Sequence, residues 1–225
     1  MSAARQHACR AVIAHARRLQ AEGLVHATAG NVSARVTGDP DTFVLTPTGI
    51  AYEDLEPGDV SVIGPGGELL AGRSPSSELP LHARLYARRP EVGAVIHTHS
   101  PSAMTLAVLG WRLPAILTGL VEATGGEVRV AAYARPGSEA LALAAEEGLR
   151  DRGACLLAHH GLIAVGADLG RALRAASVTE ATARVYLDAR AHASAVPSLP
   201  DAEVAAIARS WRAQWMAEPS TAIAP

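Results

Sequence analysis

Two hydrophobic periods run along this chain. Near the N-terminus, Ala11, Val12, Ile13 and Leu19 recur at close to helical spacing among Arg and His, which predicts an amphipathic helix over residues 1–24. From Asn31 the period becomes two: Val32, Ala34 and Val36 alternate with polar residues, as in a strand. Gly38-Asp39-Pro40 reads as a turn into a second strand, which ends at Pro47-Thr48-Gly49. Asp59 to Ile63 reads as a strand and Gly64 to Gly67 as a hairpin turn. Ser76 to Arg88 predicts a helix with Ser77 as N-cap, Pro80 in its first turn, and Leu81, Leu85 and Tyr86 on one face.

Downstream, Ala94 to His99 predicts a strand, and a helix opens at Ser100-Pro101 and runs through Leu109. Val128 to Ala132 reads as a strand, and Ser138-Glu139 caps a helix to about Arg150. Ala154 to Ala158 is a buried strand ending at His159-His160-Gly161, and Leu162 to Val165 continues past that turn. A long Ala-rich helix spans roughly Leu169 to His192, a last helix starts at Asp201, and Pro219 to Pro225 should fray. Several strands follow one another without a helix between them, so the strict rhythm of a doubly wound fold is absent. A single α/β or α+β domain with a mixed or antiparallel sheet covered by helices fits this order. The Pro-rich link around residues 195–200 sets off a C-terminal appendage, giving a domain over 1–195 and a helical appendage and tail over 196–225.

Composition narrows the function classes. A hydrophobic content of 49% supports a substantial core, yet no run of about 18 apolar residues is uninterrupted. Without a signal-like apolar segment at the N-terminus, the expected location is the cytoplasm. Net charge is −2 and aromatics make up 4%, which argues against nucleic-acid and membrane partners. The two cysteines, Cys9 and Cys155, are too far apart in sequence to suggest a disulfide framework or a Cys-based zinc site. All 20 basic residues counted as Lys or Arg are Arg, so Schiff-base lysine chemistry is excluded.

The candidate chemistry lies in the histidines. His97 and His99 are two apart on a strand, so both imidazoles can reach one ion. A second histidine-bearing turn, His159-His160, follows another apolar strand; neighbours on a strand cannot face the same way, so one of the pair should be a ligand. Glu78 is either a favourable acid at a helix N-terminus or a fourth ligand and general base. His82, four residues on, suits packing or support of the ligands better than ligation. Three Gly/Ser/Thr-rich turns (28–33, 46–49 and 74–77) could each help cradle an anion.

These residues sit within an ordered set of motifs: AGNVSAR (29–35), LTPTGIAYEDLEPGDV (45–60), SPSSELPLHARLYARRPEVGAVIHTHSP (74–101), LPAI (113–116), AYARPGSEAL (132–141) and LLAHHGLIAVG (156–166). Together, over roughly residues 5–192, they resemble the class II sugar-phosphate aldolases, grouped with L-ribulose-5-phosphate 4-epimerase and the adducin head domain. The resemblance implies a three-layer αβα single domain with a central, mainly antiparallel sheet. It also implies a homotetramer with active sites at subunit interfaces. By motif, the zinc ligands fall on His97, His99 and His160, with Mn2+ or Co2+ as other candidate metals, and Glu78 is the ligand that becomes the base. Phosphate binding falls on Asn31, Thr48, Gly49, Ser76 and Ser77. The implied activity is that of a lyase of carbohydrate metabolism, a retro-aldol cleavage of a ketose 1-phosphate such as L-fuculose 1-phosphate. The products are dihydroxyacetone phosphate, by way of a metal-stabilised enediolate, and an aldehyde.

Glu at position 78, where the epimerases of the family carry Asp, points to aldolase over epimerase. Thr118 stands where the fuculose enzymes carry one tyrosine, and the segment Ser210 to Trp215 offers no clear counterpart of their second; both tyrosines bear on the proton donor and the aldehyde pocket. Glu122, near the catalytic Asp of the epimerases, is either an acid supplied across an interface or a surface carboxylate. The same scaffold also serves decarboxylation, dehydration and 4-epimerisation of sugar phosphates, and non-catalytic adducin-like modules.

Overall fold

A computed structural model describes residues 2–216. The tail from Pro219, expected to fray, lies outside the described residues. The chain opens with α1 (Ala3–Ala21), then β1 (Asn31–Val36), β2 (Asp39–Leu45), β3 (Ser61–Ile63) and β4 (Leu69–Ala71). There follow α2 (Leu79–Arg88), β5 (Ala94–Thr98), α3 (Pro101–Leu109), α4 (Thr118–Thr124), β6 (Arg129–Ala131) and α5 (Glu139–Leu149). The chain continues with β7 (Ala154–Leu157), β8 (Gly161–Gly166), α6 (Leu169–His192) and α7 (Asp201–Met216).

The strands form one eight-stranded sheet in the order β4-β3-β2-β1-β5-β8-β7-β6. Every pairing is antiparallel except β6 with β7, which is parallel. Hairpin-like succession in the sequence thus becomes ladder adjacency, and the expected mainly antiparallel αβα arrangement is the one found. One apolar core joins residues of α1, α3 and α6 to one face of the sheet, including Val32, Ala34, Ile96, Leu156 and Leu162. The other joins α2, α5 and α7 to the opposite face, through Leu45, Ile63, Val95, Cys155 and Ile163. Trp211 and Trp215 of α7 are buried in this second core, so the C-terminal helix is packed against the body of the fold.

Local differences from the sequence expectation have physical causes. The helix expected from Ser76, with Ser77 as cap, begins at Leu79, and Glu78 holds the N-cap position without a side-chain cap bond. Residues before it are held extended: Pro47 and Pro75 form a β-bridge, and the Ser76 amide donates to the Thr46 carbonyl at 3.2 Å. Asp39 and Pro40, expected in a turn, are already part of β2. Short α4 has no marked apolar period and was not expected as a helix; its Gly125 C-cap takes the left-handed conformation with φ 80°.

Candidate active site

The site grows from the middle of the sheet, where β5 lies between β1 and β8. Register pairs His97 of β5 with Asn31 of β1 on one side and Ile163 of β8 on the other. His160 occupies the turn between β7 and β8, beside the end of β5. His99 lies just past β5, in a two-residue link to α3 that is pinned at its far end. Glu180 of α6 accepts from the Ser102 and Ala103 amides at 2.9 and 2.8 Å, capping α3 with a carboxylate.

His97, His99 and His160 form a group whose candidate ligand atoms all lie within 4.8 Å of one another. The Nε2 atoms of His97 and His99 are 2.9 Å apart. Glu78 faces the same point: Oε2 is 3.4 Å from His97 Nε2 and Oε1 is 3.3 Å from His160 Nε2. Ligand atoms on a tetrahedral zinc ion would be separated by about 3.3 Å, close to the two separations between Glu78 and the histidines. Gly161 makes this possible, because a Cβ there would strike the Thr98 carbonyl and stand 3.0 Å from His99 and 3.1 Å from His97.

Protonation favours cation binding. His97 Nδ1 lies 3.0 Å from the Leu162 carbonyl, which can only accept, so Nδ1 carries the hydrogen and Nε2 presents a lone pair to the cluster. Burial, followed by the neighbouring His99, pushes the His97 pKa down to about 3. Burial and His97 push that of His160 down to about 4, against an opposing pull from Glu78. Burial also lowers that of His99. Glu78 Oε1, which faces His160 Nε2, is buried without a hydrogen-bond partner, as suits a carboxylate oxygen available to a cation.

Of the anion-site candidates, Asn31 and Ser76 join the cluster directly. Asn31 Nδ2 donates to Ser76 Oγ at 3.2 Å and to Glu78 Oε2 at 3.3 Å. Thr48, Gly49 and Ser77 are exposed on the two loops that the Pro47–Pro75 bridge lays side by side, at the rim of the same region. His159 is turned away: it adopts φ 55°, is exposed, and sets its ring edge-on to Tyr133 at 6.1 Å. Glu122 is not brought to the cluster within one chain; it is an exposed α4 residue paired with Arg174 at 3.2 Å. Sequence reasoning did not single out Glu180, placed Tyr86 on a packing face and Ser33 in an anion-binding turn, and so missed their hydrogen bonds to partners dozens of residues away.

A mixed sheet between helix layers, with a three-histidine and carboxylate cluster at its centre, defines an αβα protein whose site is compatible with a divalent metal. The chain belongs to the class II aldolase and adducin N-terminal domain family, whose model matches residues 10–187. It is similar to 5-deoxy-D-ribulose 1-phosphate aldolase of Bacillus thuringiensis serovar kurstaki, 39% identical over 78% of this chain and 82% of that protein. It is also similar to L-fuculose phosphate aldolase of Escherichia coli K12, 37% identical over 84% of this chain and 87% of that protein. A solved L-fuculose 1-phosphate aldolase superposes with a TM-score of 0.88 at 30% identity, over 94% of this chain and 98% of that one. The chain is therefore an enzyme of the class II aldolases, a lyase acting in sugar-phosphate metabolism.

Proposed function

We propose that the chain holds a divalent metal, with zinc as the first candidate, on His97, His99, His160 and Glu78, and cleaves a ketose 1-phosphate to dihydroxyacetone phosphate and an aldehyde. The observation that carries this reading is the convergence of His97 Nε2, His99 Nε2 and both Glu78 oxygens, with the His97 lone pair turned inward by the Leu162 carbonyl. Both curated relatives described above act, by name, on phosphorylated sugars.

When bound, the metal would supply Lewis-acid polarisation of the substrate carbonyl. Asn31, Thr48, Gly49, Ser76 and Ser77 would bind the phosphate through amides and hydroxyls on the two bridged loops. Glu78 would move the proton: cleavage removes the hydroxyl hydrogen, breaks the C–C bond and leaves the carbon of the dihydroxyacetone phosphate fragment to be reprotonated. The second acid is proposed to come from a neighbouring subunit, with Glu122 as a candidate. A cytoplasmic homotetramer with interface sites would also cover exposed apolar side chains such as Val108, Leu109, Trp111 and Tyr133. Among the described residues no helix is long and apolar enough to cross a membrane.

A panel of ketose 1-phosphates assayed for dihydroxyacetone phosphate release tests the reaction. A zinc-loaded enzyme releasing none from L-fuculose, ribulose or 5-deoxyribulose 1-phosphate would overturn it in favour of decarboxylation, dehydration or epimerisation. Glu78→Gln should keep the fold and lower kcat by about 10²–10⁴-fold; a near-normal kcat would remove Glu78 from the proton step.

A further inference from the structure

A file of buried polar groups leads away from Glu78 through Asn31 to His82, Ser33 and Tyr86, and the last three take no part in the reaction described above. Tyr86 Oη lies 2.7 Å from Ser33 Oγ, which lies 2.6 Å from His82 Nδ1. His82 Nε2 bonds to Asn31 Oδ1, and Asn31 Nδ2 reaches Glu78 Oε2 at 3.3 Å. All five residues are buried, His82 and Ser33 completely.

The bonds can run in one direction only. A carboxylate accepts, so the Asn31 amide must turn its NH2 toward Glu78 and its oxygen toward His82. His82 is completely buried and neither ring nitrogen faces a carboxylate, so the ring is neutral and has a single N–H. That hydrogen must sit on Nε2 to serve Asn31, which leaves Nδ1 to accept from the Ser33 hydroxyl. Ser33 then accepts from Tyr86, whose phenol burial keeps protonated. At the far end Glu78 Oε2 is held, while Oε1 carries no hydrogen bond.

We propose that His82 is a positioning residue for Glu78: by fixing the Asn31 amide it ties down Oε2 and leaves Oε1 as the oxygen that exchanges protons with substrate. The catalytic part of this inference rests on the reading of Glu78 as the proton-transfer group. An imidazole with one donor and one acceptor fits a relay of fixed polarity, and the Ser33 and Tyr86 hydroxyls fix its tautomer from behind. Without His82, the Asn31 amide would be free to reverse and present its oxygen to the carboxylate.

Two measurements on the purified full-length chain test it. The imidazole nitrogen shifts of His82, assigned by their loss in His82→Gln, should show hydrogen on Nε2 and a bare Nδ1; the opposite tautomer overturns the relay. The second is deuterium incorporation into dihydroxyacetone phosphate from heavy water by the zinc-loaded enzyme, which isolates the proton step. His82→Leu should slow it by about 10–100-fold with little change in the half-saturating dihydroxyacetone phosphate concentration. His82→Gln, which keeps a donor for Asn31, should recover most of the rate. A folded His82→Leu protein exchanging at the wild-type rate overturns the proposal. Should His82→Leu fail to fold, Ser33→Ala removes the donor to Nδ1 at small cost in volume and is held to the same slowing. A wild-type enzyme that exchanges nothing overturns the aldolase reading and the catalytic role with it, while the tautomer still decides the direction of the relay.

Discussion

Val32, Ala34 and Val36 on one face of β1 meet α1 in an apolar core, whereas Asn31 and Ser33 on the other meet His82 and Tyr86 of α2 through hydrogen bonds. Both faces are buried. The first is held by area removed from water and tolerates any good packing solution. The second is held by partners, since a buried polar group without one is costly. A strand that alternates apolar and polar residues is ordinarily half solvated; here the polar face is the wall behind a carboxylate. The contrast separates stability from chemistry within one strand.

Substitution on each face breaks the comparison most directly. Val32→Asn removes buried apolar area and leaves an amide without partners, so we expect a loss of about 3–5 kcal/mol in denaturant unfolding. Ser33→Ala is apolar and changes little volume, yet it orphans His82 Nδ1 and the Tyr86 hydroxyl, and should cost about 1–3 kcal/mol. A Ser33→Ala protein as stable as wild type would show that the polar face is held by packing as well.

A smaller effect comes from pH. His82 ordinarily titrates near 6.5 and is held down to about 3 in the fold, so below pH 6.5 the unfolded chain binds a proton that the folded chain does not. Its contribution to stability is fully present above that pH and is lost as pH falls toward 3, at up to about 1.4 kcal/mol per pH unit. Unfolding curves at pH 7, 6 and 5 should therefore be less steep in pH for His82→Gln than for wild type. Equal slopes would mean that His82 is already charged in the fold. The smallest effect is expected outside the contrast altogether: Glu122→Gln breaks an exposed pair with Arg174 and should change chain stability by less than about 1 kcal/mol.

The sequence made the packing face legible and left the polar one half read. Helical spacing in α1 and alternation in β1 named the side chains that fill the first core. His97 and His99 were visible as a pair on one strand and His159-His160 as a turn after another; the motif resemblance, not the pattern, chose His160, and sheet register turns the choice into proximity. The start of α2 was misjudged because Ser77 looks like a cap locally, while the Pro47–Pro75 bridge that delays the helix is a tertiary contact. Ser33 and Tyr86 are 53 residues apart and bond directly, with Ser33 linking Tyr86 to His82, so no local pattern reveals the relay. His82 was read as a supporting residue from its spacing to Glu78, yet its partners Asn31 and Ser33 emerge only from pairing β1 with α2.

The central claim is that three histidines and Glu78 gather around one divalent metal. Elemental analysis of the zinc-reconstituted wild-type chain and of His97→Ala tests it most directly. The account predicts stoichiometric metal in the first and little or none in the second, with both chains folded. Stoichiometric metal retained by His97→Ala, or a wild-type chain that takes up none, would contradict it.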